Sequence, residues 1–157
     1  MEALKEIMQD KEYKVEPRDN VPHDGSCQFG AVAESMNAAN HPTGKGKRRL
    51  REIMPEDLRT KAVKFLREKG AHLVEGQFSC QQELEDYLLE MLKEDTWGDE
   101  RTLHAMSAIL RIQIHVISSQ GDGYHKNFNY TNSEDAPVIH IGYLHAPPAH
   151  YVSMRPI

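Results

Sequence analysis

The apolar positions of this chain change period partway along it. Leu4, Ile7 and Met8 stand at helical spacing within residues 1–10, and Tyr13 to Val15 reads as a short strand closed by Pro17. Asp19-Asn20-Val21-Pro22 is turn-rich, and Asp24-Gly25 turns the chain again. From Cys27 the residues Phe29, Ala31, Val32, Ala33 and Met36 are small or apolar, which predicts a helix buried on most of its surface. Pro55-Glu56-Asp57 opens another helix, with Leu58, Ala62, Phe65 and Leu66 as its buried stripe and Gly70 as its end. Ser79 with Gln82 predicts a capping box for a helix that buries Leu84, Tyr87, Leu88, Met91 and Leu92. Thr96 predicts the cap of the next, whose apolar surface comes from Trp97, Leu103, Met106, Ile109 and Leu110.

At Arg111 the pattern begins to alternate. Arg111 to Ile117 reads as a strand with Ile112, Ile114 and Val116 on one face, and a Gly-rich connection over 118–129 follows. Val138 to Leu144 is a second strand, Pro147-Pro148 breaks the chain, and Tyr151 to Met154 is a third. Helices come first and strands collect late, which predicts an α+β fold with a small sheet packed against helices. No internal repeat or boundary divides the chain, so residues 1–157 are expected to form a single domain.

Composition changes this picture little. Apolar residues make up 39% and charged residues 27%, and the formal charge is −5, so nucleic acid is not an expected partner and basic partners are favoured. A Gly/Pro/Lys/Arg cluster between Asn40 and Arg51 reads as a solvated loop, or else as a contact surface for an acidic patch. Cys27 and Cys80 make no disulfide framework, the first ten residues carry no signal-peptide core, and no apolar run is long enough to span a membrane. A soluble, cytoplasmic, monomeric protein is expected.

The chemistry concentrates at His23-Asp24-Gly25-Ser26-Cys27-Gln28-Phe29. A cysteine at a helix start faces unpaired N–H groups and the positive end of the dipole, which favour thiolate, the nucleophilic form. The same N–H groups can hold an oxyanion. A base is still needed, and His150, between the Pro-Pro break and the last strand, is the candidate. Nine histidines raise a metal site as an alternative, but neither His140 and His145 near His150, nor His41 with Cys27, has a zinc-site spacing. No metal or other cofactor is expected. Cys80 reads as a small buried apolar residue.

Three blocks together, Asp24-Gly25-Ser26-Cys27-Gln28-Phe29, Trp97-Gly98 with Leu103 and Ala105, and His150-Tyr151-Val152-Ser153, resemble the motifs of the ovarian tumour (OTU) family of cysteine proteases. They stand in the family's order and cover nearly the whole chain. The resemblance implies a papain-like fold, with a small central sheet packed between helices, and a deubiquitinase that cleaves ubiquitin from lysine side chains. It implies Cys27 as nucleophile and His150 as general base, the two titrating as a coupled pair. It also implies that Asp24 shapes the Asp24, Gly25, Ser26, Cys27 loop whose amides form the oxyanion hole. Trp97 is expected in the core beside the catalytic helix. Many family members carry Asp or Asn two residues after the histidine. Here that position is Val152, so either Asp19, Asn20, His145 or a carbonyl near Pro147 orients the ring, or Cys27 and His150 work as a dyad.

Ubiquitin or polyubiquitin chains are thus the expected partner. The basic tail of ubiquitin calls for an acidic channel, and Glu83, Glu85, Asp86, Glu90, Glu94, Asp95, Asp99 and Glu100 form an acidic belt on the middle helices. The alternatives are a weak or inactive ubiquitin-binding module of the same fold, and a protease for a ubiquitin-like modifier.

Overall fold

The alternating tail of the chain becomes the centre of the fold. A computed structural model describes residues 1–9, 13–40, 52–70 and 76–157. Among these residues, β1 (Val15–Arg18), β2 (Gln113–Ser118), β3 (Lys126–Phe128), β4 (Val138–Leu144) and β5 (His150–Pro156) form one sheet in the order β1-β5-β4-β2-β3. β2 and β4 run parallel, and the other neighbours are antiparallel.

Helices cover both faces. The helix α1 (Glu2–Gln9) buries Leu4 and Met8 against Ile117, Leu144, Val152 and Met154. On the other face lie α2 (Cys27–Asn40), α3 (Pro55–Glu68), α4 (Gln81–Met91) and α5 (Glu100–Leu110). They share a larger core with Ile114, Val116, Ile139 and Ile141. Because side chains alternate along a strand, β4 sends Ile141 to one core and Leu144 to the other. The α2 helix, poor in polar residues, sits where that composition demands. Its Phe29, Ala31, Val32 and Ala33 are buried at the centre. No helix among the described residues is long and apolar enough to cross a membrane.

Several element ends differ from the sequence reading, each for a local reason. Pro17 does not close the first strand but lies inside β1, opposite Met154. This is allowed because β1 is an edge and its missing N–H faces no neighbour. Arg111 adopts the left-handed conformation (φ 55°) that ends α5, so the strand begins at Gln113. The 118–129 connection holds a short 3-10 turn at Asp122–Tyr124 and the strand β3.

Ser79 and Gln82 form no capping box. The cap position is Cys80, and Ser79 instead bonds the Glu83 carboxylate through both its N–H and its hydroxyl. Cys80 is therefore exposed rather than buried. The cap of α5 is Asp99, reciprocally bonded with Thr102, while Thr96 donates to the Glu90 carbonyl. Leu92 and Trp97 lie on the connection between these helices and are exposed, Trp97 by 48%, so its expected place in the core is corrected. The basic cluster at 41–51 lies outside the described residues.

Candidate active site

Cys27 is the first residue of α2, and the turn before it is held from several sides. The Asp24 carbonyl accepts the Cys27 N–H at 3.1 Å, and its carboxylate accepts the Ser26 N–H at 2.9 Å. That Asx turn gives Asp24 a shaping contact on the loop. Gly25 packs so closely on the Asp95 backbone that no Cβ fits there. The Ser26 hydroxyl donates to the Glu94 carbonyl at 2.9 Å.

Arg59, on α3 and buried, ties these pieces together. One guanidinium nitrogen donates to the Gly25 carbonyl (3.0 Å), Ser26 Oγ (3.1 Å) and the Glu94 carbonyl (3.0 Å), and the other to the Met91 carbonyl (2.9 Å). Its Cζ lies over the Phe29 ring, 4.4 Å from the centroid. Burial pulls its pKa down, opposed by the charges of Glu94, Asp24 and Asp95. The carbonyl of Met91, the last residue of α4, belongs to the negative end of the helix dipole. The sequence reading missed Arg59.

Gln28, next to the cysteine, joins α2 to the start of α5. Its amide donates to the Asp99 carbonyl at 3.1 Å and accepts from Thr102 Oγ1 at 2.6 Å. This amide occupies the space a Cβ on residue 98 would need, which is the physical reason for glycine after Trp97.

Cys27 Sγ is buried and accepts the Tyr151 N–H at 3.5 Å, so the thiol sits against the first residues of β5. Burial pushes its pKa up, and the Asp24 charge adds to this. The N–H groups of Tyr151, Gln28 and Cys27 pull it down without winning. The helix-start N–H groups thus favour thiolate as expected, but desolvation is the larger effect on the thiol.

His150 opens β5 and is 7% exposed. Its Nδ1 lies 3.0 Å from the Pro148 carbonyl. Its Nε2 is sheltered and without a hydrogen bond, 3.9 Å from Asp19 Oδ1. The same Asp19 oxygen lies 2.7 Å from His23 Nε2, and the His23 ring stacks on His150 with centroids 3.7 Å apart. No hydrogen bond joins Cys27 Sγ to either nitrogen of His150.

Of the groups left open as orienting partners, two meet the ring: Asp19 and the Pro148 carbonyl. Asn20 is engaged with Ser153 (2.5 Å), and the His145 N–H with Ser119. Val152 points into the apolar cluster under α1. Nothing in the sequence marks the contact of His23 with the His150 ring.

The acidic belt divides. Glu83, Glu85, Asp86, Glu90, Asp99 and Glu100 are each bonded to Ser79, Arg67, Gln82, Lys93, Tyr87 or Lys126. Glu94 and Asp95 are exposed on the segment that packs against the Gly25–Ser26 turn.

A family model described as OTU-like cysteine protease matches residues 22–151. The 232R protein of Invertebrate iridescent virus 3, a candidate ubiquitin thioesterase by its name, is 31% identical over 156 residues, covering 98% of this chain and 17% of that protein. An OTU domain-containing deubiquitinating enzyme 10 of Arabidopsis thaliana is 26% identical over 123 residues, 78% of this chain and 30% of that protein. The chain thus spans less than a third of the length of these relatives. The solved OTU domain of OTUD1 superposes with a TM-score of 0.68 at 14% identity, covering 96% of this chain and 89% of that one. An OTU deubiquitinase from Wolbachia pipientis wMel bound to ubiquitin gives a TM-score of 0.59 at 14% identity, covering 91% and 96%. At such identities the likeness to these structures is one of fold.

Proposed function

The chain belongs to the family of OTU-like cysteine proteases, and from that premise we propose that it is a deubiquitinase hydrolysing the isopeptide bond after the C-terminal glycine of ubiquitin. The observation that carries this reading is the meeting of Cys27 with the head of β5, where Tyr151 touches the thiol and His150 lies beside Asp19. In the reaction, His150 takes the Cys27 proton and the thiolate adds to the glycine carbonyl. The Asp24–Cys27 loop, fixed by Arg59, offers amides to the oxyanion. The imidazolium then protonates the departing lysine amine, leaving an acyl-thioester on Cys27. Water activated by His150 cleaves that thioester, releasing the ubiquitin carboxylate and restoring the thiol. Asp19 steadies the imidazolium in the role that Val152 cannot fill.

Ubiquitin carrying a thiol-reactive C-terminus tests the proposal. Wild type and Cys80→Ser should gain the mass of one ubiquitin, and Cys27→Ala should not. Folded wild type that stays unlabelled overturns it. Cys27 and His150 share no hydrogen bond with each other, which favours one rival, a ubiquitin-binding module without catalysis. Reversible ubiquitin binding without labelling would establish that rival.

A further inference from the structure

We propose that Asp19, His23 and His150 form a binding site for one divalent transition-metal ion, zinc above all, and that the bound ion silences the thiol chemistry. Ligand atoms of these side chains lie within 4.8 Å of one another. The two distances to Asp19 Oδ1, 2.7 Å from His23 and 3.9 Å from His150, bracket the roughly 3.3–3.5 Å edge of a tetrahedron with bonds of 2.0–2.2 Å. Seating an ion between them also requires the His23 and His150 rings, with centroids 3.7 Å apart, to splay so that both nitrogens reach it.

The second observation is the state of His150. Its Nδ1 faces a carbonyl, which only accepts, so Nδ1 is the protonated nitrogen and the neutral ring leaves a bare lone pair at Nε2. That nitrogen is buried, has no hydrogen-bond partner and lies 3.9 Å from a carboxylate oxygen, which donates nothing. A buried acceptor beside a carboxylate calls for positive charge, which a metal ion can bring as well as the proton of the reactive form. Imidazole nitrogen with its other N–H on a backbone carbonyl is the usual arrangement of a metal-bound histidine.

Two imidazoles and one carboxylate suit zinc, copper or nickel rather than calcium or magnesium. Asp19 and His23 are partly exposed, which gives the ion a way in. Spacing along the chain concealed the set, because Asp19 and His23 are local and His150 arrives only through the fold. Inhibition rests on the proposed hydrolase, since an ion on Nε2 prevents His150 from becoming an imidazolium. The binding site itself does not rest on it.

The binding arm uses Cys27→Ala, which removes the reactive thiol, in competition with a chromophoric zinc chelator. One zinc should bind, and adding His23→Phe, which keeps a ring against His150 but loses the ligand nitrogen, should weaken that binding at least about tenfold. Asp19→Asn in the same background should weaken it too, with circular dichroism confirming the fold of each variant. Zinc affinity unchanged by both substitutions overturns the site, and so does zinc binding that vanishes with Cys27 alone. In the activity arm, zinc should slow ubiquitin-probe labelling of wild type at least about tenfold, reversed by chelator, and slow His23→Phe less relative to its own zinc-free rate. Labelling indifferent to a zinc ion that binds overturns the regulatory half. If wild type never labels, the hydrolase reading fails while the binding arm still decides the site.

Discussion

Replacing Arg59 with methionine should damage both stability and reactivity, and the structure sets the size of each effect. The guanidinium satisfies the carbonyls of Gly25, Met91 and Glu94, together with Ser26 Oγ. The contacts at Gly25 and Met91 are buried, whereas those at Glu94 and Ser26 lie nearer solvent, where water can replace them. Two dry carbonyls left without donors cost about 2–6 kcal/mol at 1–3 kcal/mol each. Methionine fills part of the volume and no longer requires a buried charge, which offsets some of this. A net loss of about 3 kcal/mol, roughly a hundredfold in the folding equilibrium, is expected in urea unfolding followed by far-ultraviolet circular dichroism. Losing an oxyanion donor outright costs about 10²–10³ in rate, and this loop is displaced rather than deleted. Probe labelling of the folded variant should therefore slow by roughly 10–10². Arg59→Lys keeps the charge but not the fork and should fall between the two. If Arg59→Met unfolds within about 1 kcal/mol of wild type and labels within about twofold, the account of Arg59 as the clamp on this loop is wrong.

Asp19→Asn should slow probe labelling by about tenfold or more, with the urea midpoint nearly unchanged, because the exchange preserves shape and removes the charge that steadies the imidazolium. Labelling equal to wild type would show that Asp19 takes no part. The upward displacement of the Cys27 pKa gives a pH prediction. Alkylation by iodoacetamide in Cys80→Ser needs the thiolate, so its rate should still be climbing above the ordinary thiol range of about 8.5. The linkage has the matching sign. A thiol whose folded pKa exceeds its unfolded value loses its contribution to stability as pH rises between the two, so the urea midpoint of wild type should fall over that interval more than that of Cys27→Ala. An alkylation midpoint near about 7 would instead mean a preformed ion pair.

How much of this was readable beforehand depended on whether a residue's role is carried by its side chain or by someone else's backbone. The buried α2 helix and the strands β2, β4 and β5 follow from apolar period, because burial on one face leaves a repeating mark. The short β3 and the ends of β1 and α5 do not, since a few residues and one left-handed φ carry no period. Trp97 and Cys80 were expected inside because both residue types are usually buried, yet each sits in a connection or cap and is exposed. Arg59 was invisible for the opposite reason: it looks like any charge on a helix with an exposed face, and three of its partners are carbonyls that every residue possesses. Asp19 was one option among several, and only the fold distinguishes it from Asn20 and His145.

These observations meet in the proton arrangement of His150. As it stands, Nδ1–H on the Pro148 carbonyl leaves Nε2 bare and the thiol without a base in contact. Burial then disfavours the Cys27 thiolate. An isolated thiolate is penalised by that burial, but moving one proton from sulfur to imidazole changes no net charge, and Asp19 lies where the new positive charge appears. With a proton on Nε2 shared with Asp19, Nδ1 is released from Pro148 as a base. In the proposed mechanism Asp19 would favour the reactive form through the same nitrogen that a zinc ion would occupy. Zinc on Nε2 instead fixes the Nδ1–H form, in which the thiol has nowhere to send its proton. Loss of activity in Asp19→Asn and inhibition of wild type by zinc should accordingly not add: in Asp19→Asn the activity that remains should be less sensitive to zinc, because both perturbations act on one atom. Additive losses would mean that the metal and the carboxylate reach the thiol by separate routes.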